Sequence, residues 1–272
     1  MDRLMMLYVQ AQGAAVEVLL NDMPVIALPP GGGTTTQAVH EHCLAGRNRL
    51  TMHVGPLQPE GAKPQPVVTR GDIAVRTVLA LVHKGQAPTD PEARVLSRMS
   101  WQPAPNERVD WPFTFHQDVS LPVNFPRWRW LDAPPVDLDD ARRTQVLMLL
   151  QDLALDLQLG SPDRLLDLAR LRSEELAVAY QSTALDWQQT IRNDVQRLFD
   201  AGALATVAPP QAGDLALRVI ANGRLIDCVG TDGAPALRSQ PVALDPSDPK
   251  ALTQAFWPLR LACVEGKLYA LR

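Results

Sequence analysis

The most chemically suggestive run in the sequence is His40-Glu41-His42-Cys43, whose residue types are those of a transition-metal site. Read as a strand, it turns His40 and His42 to one side and Glu41 and Cys43 to the other. At most two imidazoles then converge locally. A further ligand would have to come from His53, His83 or His116, so the expectation is two exposed histidines at a strand end, with no metal and no cofactor. The three cysteines, Cys43, Cys228 and Cys263, lie in apolar strand-like settings without paired spacing, which argues against both a disulfide framework and a Cys-based metal site. Gly31-Gly32-Gly33 lacks the Lys-Ser/Thr that completes a phosphate loop and reads as a flexible loop. Arg70-Gly71-Asp72 reads as a turn before a strand. Neither Gly-x-Ser-x-Gly nor His-Glu-x-x-His occurs, so the usual hydrolase signals are missing.

Whatever these residues do, the elements around them must place them. The 272 residues exceed what one compact domain usually needs, which favours two domains. A formal charge of -4 gives no global pull toward nucleic acid or an anionic membrane, and no apolar run reaches the length of a membrane span. With no leader-like N-terminus, the expected address is cytoplasmic. Composition changes near residue 136: 16 of the 24 prolines and all five histidines precede it, and Leu, Ala, Asp and Arg dominate afterwards. The expected domains are therefore 1–136 and 137–272.

In the first, Leu4–Gln10, Ala15–Leu20, Arg49–Val54, Ile73–His83, Val95–Trp101 and Trp111–Val119 alternate or are β-branched between Pro/Gly stretches. That is the pattern of an antiparallel β-sandwich, with prolines in loops and edges. Gly46 permits a tight turn, Asn48 suits a turn-bonding conformation, and Leu50, Met52 and Val54 alternate onto one buried face. The run Val18-Leu19-Leu20-Asn21-Asp22-Met23-Pro24-Val25, with Leu44-Ala45-Gly46-Arg47-Asn48-Arg49-Leu50 after it, resembles the galactose-binding-like jelly-roll modules of β-galactosidase-type glycosidases. The resemblance implies a sandwich and ligand binding, and brings no hydrolytic residues with it. Pro126–Pro135 reads as the inter-domain connector. Its Trp128 and Trp130 share a side when extended, as a plug between domains or a sugar-stacking platform.

From Asp139 the period becomes helical. Val146, Leu149, Leu150, Leu153 and Leu157 form a stripe between an Asp139 cap and a Gly160 stop. Ser161-Pro162-Asp163 starts a second helix running to Tyr180, with a kink before Ser173. Trp187, Ile191, Val195, Leu198 and Phe199 mark a third that ends at Gly202. Asn222-Gly223 and Glu265-Gly266 then each sit between strands as hairpin turns. Three helices followed by a curved antiparallel sheet make an α+β domain, and the order over Asp137–Arg272 resembles the nuclear-transport-factor-two-like (cystatin-like, ketosteroid-isomerase-like) α+β roll.

An enzyme on that roll would need a carboxylate whose pKa an apolar pocket raises. Asp156, Asp186 and Asp227 are the candidates, and each also fits a solvated or structural role. Histidine is absent from the whole second half, which argues further against acid–base work. The expected function is a non-catalytic two-domain protein that binds a protein partner or small ligand, with Trp111, Trp128, Trp130 and Trp257 as interface residues and a homodimer as one arrangement. The alternatives are a small-molecule binder or enzyme whose roll pocket is lined by Asp156, Tyr180, Asp186 and Trp187, and a carbohydrate binder using the sandwich.

Overall fold

The structure is a computed structural model, and it describes residues 2–55, 63–69, 72–243, 250 and 252–272. The Arg70-Gly71 part of the expected turn lies outside these. The chain is α+β and divides into two compact units, Met1–Arg127 and Trp128–Arg272.

The first unit consists of β1 (Arg3–Gln12), β2 (Val16–Leu20), β3 (Met23–Leu28), β4 (Gly32–Ala38), β5 (Gly46–Val54), β6 (Gln65–Val68), β7 (Ala74–His83), β8 (Arg94–Trp101), β9 (Arg108–Trp111) and β10 (Phe113–Leu121). Two four-stranded antiparallel sheets form, in the orders β4-β1-β7-β8 and β10-β5-β2-β3, and β6 pairs with β9. Alternation puts Met5, Leu7 and Val9 of one sheet and Leu50, Met52 and Val54 of the other into a single apolar cluster. The glycines at 32 and 33 belong to β4, opposite Gln12 and Ala11, and do not form a loop. Gly32 has φ +79°, and a Cβ there would come 2.3 Å from the Ala11 carbonyl oxygen, so close strand approach explains the residue type.

A polar staple holds the β2–β3 turn to the entry of β5. Asn48 donates to the carbonyls of Leu44 and Gly46, both at 2.8 Å, and accepts from the Leu44 N–H (2.7 Å) and the Asn21 amide (2.8 Å). Asn21 also donates to the His42 carbonyl and accepts from the Arg49 N–H. Its positive φ, shared with Asp22, makes the tight turn.

The second unit begins with α1 (Asp140–Gln158), α2 (Asp163–Leu168), α3 (Arg170–Tyr180) and α4 (Ala184–Asp200). Asp139 caps α1 by accepting from the Arg142 N–H at 2.7 Å. Gly160, with φ +72°, ends it in a Schellman pattern in which Ser161 N–H reaches the Asp156 carbonyl and Gly160 N–H the Leu157 carbonyl. The second expected helix is two helices. The backbone leaves helical geometry at Ala169, where the Ser173 hydroxyl donates back to the Ala169 carbonyl, a bond that favours bending. At the start of α2, Pro162 stands at the cap position and no side chain caps it. Of the α4 stripe, Val195 and Leu198 are buried, whereas Phe199 is exposed and lies over Gly160.

Then follow β11 (Leu215–Ile220), β12 (Leu225–Gly230), the two-residue strands β13 (Leu237–Arg238), β14 (Val242–Ala243), β15 (Leu252–Thr253) and β16 (Phe256–Trp257), and β17 (Arg260–Val264) and β18 (Lys267–Ala270). The main sheet is antiparallel in the order β11-β12-β17-β18. Residues 222–223 and 265–266 turn with positive φ as expected of hairpins. Leu150, Leu153 and Leu157 of α1 share a core with Ile226 and Cys228 of β12 and Leu261 of β17.

Because Asn48 satisfies two carbonyls and two donors away from water, Asn48→Ala is expected to cost roughly 2–4 kcal/mol of unfolding free energy, read as a lowered urea midpoint with an unchanged slope.

Candidate functional site

The three candidate carboxylates are each committed to a structural task. Asp156 lies on α1 and ion-pairs with Arg164 of α2 (Oδ2–Nε 2.7 Å), which also reaches Asp152 at 2.8 Å. Asp186 is the third residue of α4 and closes a capping box: it accepts from the Thr183 N–H at 2.9 Å, and its own N–H donates to the Thr183 hydroxyl at 3.1 Å. The Thr183 side chain and then its backbone hold the Asp186 carboxyl below the ordinary range, opposite to the raised value a general acid needs. Asp227 sits on β12 between cross-strand neighbours Arg218 of β11 and Arg260 of β17. Arg218 Nη2 is 2.5 Å from its Oδ2, and Arg260 Nε is 3.4 Å from Oδ1. The carboxylate is buried, and two guanidiniums replace the water it has lost.

Tyr180 and Trp187 do meet, ring to ring at 5.7 Å, with the indole N–H donating to Ser182. They bridge the turn between α3 and α4. Neither they nor Asp186 line the cleft that contains Asp156, so the four residues do not converge on one pocket.

Depressions on the surface of this unit include one of about 490 Å³ lined by Gln145, Leu149, Leu168 and Tyr269, and two others. The larger of those two, about 680 Å³, lies among Asp156, Asp163, Asp167, Arg164, Arg170 and Arg192. Its charges are balanced, and two of its arginines are already engaged, Arg164 with Asp152 and Asp156 and Arg170 with Glu174. The smaller, about 310 Å³, lies between α2, α3, α4 and the segment 255–259. Leu165, Ala169, Leu198, Leu259 and Ala270 form its bed, with Phe256 and Trp257 as a wall and Arg172, Asp194 and Arg197 at its edge. The positions Ile191, Asp194 and Leu198 fall on one face of α4, which is why a helix can supply both bed and edge.

Trp257 is the one interface candidate of the second unit at this groove. Trp128 and Trp130 are only 1% exposed, so they offer no platform to a sugar. The segment is not extended: Arg129–Leu131 forms a 3₁₀ turn that belongs to the second unit. The Arg272 guanidinium stacks 5.4 Å from the Trp128 ring and bonds to Glu175, which also accepts from the Arg129 N–H at 2.6 Å. In the first unit Trp111 joins Trp101, Phe113 and Phe115 in a half-buried aromatic group with ring separations of 4.6–6.3 Å, packed against the apolar core.

The histidine cluster differs most from expectation. His40–His42 forms a buried 3₁₀ turn in place of an exposed strand end, and His40 Nε2 accepts the Met5 N–H at 2.7 Å. Among the described residues no group of three or more His, Cys, Asp and Glu side chains is arranged to hold a metal ion. Burial pushes the Cys43 and Cys228 thiols up, away from the thiolate form that reacts. Phe256, Arg172 and Arg197 were missed by sequence reasoning. Two sit on ordinary solvent-type helix positions, and Phe256 lies in a short irregular stretch. The only signal available was the neighbouring Trp257.

Comparison with protein-family models, curated proteins and solved structures finds no match for this chain. Its class is therefore the one its architecture defines: an α+β protein of two compact units. Among the described residues, no helix is long and apolar enough to cross a membrane.

Two measurements check these roles. Asp227→Ala leaves two arginines facing a buried space and is expected to destabilise by roughly 3–5 kcal/mol in chemical denaturation, as for one-sided removal of a buried pair. For Asp186 the lowered folded pKa stabilises α4 fully above the unfolded value, near 3.9, and the contribution disappears as pH falls through the lower folded value. Asp186→Asn is thus expected to be less stable than the parent at neutral pH and to approach it as the denaturation is repeated in increasingly acid buffer.

Proposed function

We propose that this is a non-catalytic two-domain binding protein whose second unit receives its ligand or partner in the groove beside Trp257. The first unit is read as a jelly-roll-like sandwich, supported by two antiparallel sheets with a common apolar cluster. The second is read as an α+β roll, supported by helices that share a core with an antiparallel meander. Three cysteines, none of them in a disulfide, support a cytoplasmic address.

The observation that carries the functional reading is the exposed Phe256. The residue is 46% exposed and lines a concave, apolar-floored depression, whereas the carboxylates proposed for acid–base work are occupied by arginines or a helix cap. Large apolar side chains at the wall of a groove are the kind of surface that binding covers. Catalysis would need a titratable group in that groove, and Asp194, the one carboxylate among the described residues that line it, is exposed and pairs with Arg197 at 3.3 Å.

The test uses full-length protein immobilised and washed with native lysate, followed by mass spectrometry of retained proteins and extracted small molecules. The parent is expected to retain at least one species that Phe256→Asp loses and Leu185→Asp keeps, since Leu185 is even more exposed but lies away from the groove. Identical profiles for all three proteins would remove the groove from the function.

A further inference from the structure

The groove beside Trp257 joins an apolar bed to two aromatic residues, and its charged lining is already engaged. Leu165 of α2, Leu198 of α4 and Leu259 are buried and form the bed, and the exposed Phe256 and half-buried Trp257 line the same space. Among the described lining residues three side chains are charged. Asp194 and Arg197 of α4 pair with each other at 3.3 Å, and Arg172 of α3 is not free either. An ionic occupant would have to break an existing contact to find a partner, and an exposed pair that water screens would return little for it. A charged group carried into the groove without a partner loses hydration and receives nothing in exchange. Burial of apolar surface is left as the source of affinity, and it favours an uncharged occupant.

Two further features narrow the class. The volume, about 310 Å³, is at the lower end of small-molecule sites, which run from roughly 300 to 1,000 Å³. Phe256 and Trp257 offer ring contacts that strengthen aromatic binding beyond the area buried, and a rigid flat molecule loses less conformational freedom on binding than a flexible chain.

We propose that this groove takes a small uncharged aromatic molecule, held against Phe256 and Trp257 over the bed of Leu165, Leu198 and Leu259. The assignment rests on the groove being the binding site and adds the chemical class of its occupant.

Calorimetric titration of the whole chain with indole tests it, beside tryptamine and indole-3-acetate, which carry the same ring system on a cationic and an anionic side arm. Indole is expected to bind one to one, and each ion to bind at least about tenfold more weakly because its charge finds no partner. Phe256→Ala, at an exposed position, should weaken indole by about fivefold while the urea midpoint stays in place. Asp194→Asn releases Arg197 and should improve indole-3-acetate relative to indole by about threefold, the scale of an exposed ion pair, with tryptamine unimproved. No indole binding, either ion binding as tightly as indole, an indole affinity unmoved by Phe256→Ala, or an ion preference unmoved by Asp194→Asn overturns the assignment. If indole fails while Phe256→Asp still releases species in the lysate experiment, the ligand class falls and the groove stands. If Phe256→Asp changes neither measurement, both fall.

Discussion

A carboxylate taken out of water must meet a cation or give up its charge, and in the second unit the buried carboxylates Asp227 and Glu175 meet arginines. Asp227 ties three adjacent strands together through Arg218 and Arg260. Glu175 ties α3 to Arg272 and to the backbone of the turn at Arg129, with the Trp128 ring against the same guanidinium. These contacts set both the register of the sheet and the seat of the segment that opens the unit. They also commit both of these acids to structural contacts.

The first unit solves the equivalent problem with neutral groups. Asn21 and Asn48 satisfy the backbone of a tight turn and a strand entry in the interior, where water could not. His40 plays a comparable part by accepting a backbone N–H from β1. An imidazole that holds a strand is not available as a metal ligand through the same nitrogen, which accounts for a metal-like sequence run in a structural role.

What remains open to solvent is informative for that reason. The large cleft among Asp156, Arg164 and Arg170 holds equal numbers of acids and arginines, whereas the small groove combines an apolar bed with an exposed Phe256. Volume alone would rank the first above the second. Exposed apolar surface ranks them the other way, because binding free energy comes from groups that water leaves poorly satisfied.

Local chemistry was legible in the residues alone. The Asp139 cap, the Gly160 stop, the stripe from Val146 to Leu157, the alternation of Leu50, Met52 and Val54, and the turns at 222–223 and 265–266 depend on nearest neighbours along the chain, so the sequence by itself determined them. The pairing of Gly32 and Gly33 with β1, the burial of His40, Trp128 and Trp130, and the assembly of the groove from α2, α3, α4 and residues 255–259 were decided only in the tertiary structure. Each of these depends on a partner distant in sequence: Met5 for His40, Arg272 for Trp128, Ala11 for Gly32. Periodicity records which way a side chain faces within its own element, and carries no record of which other element comes to meet it.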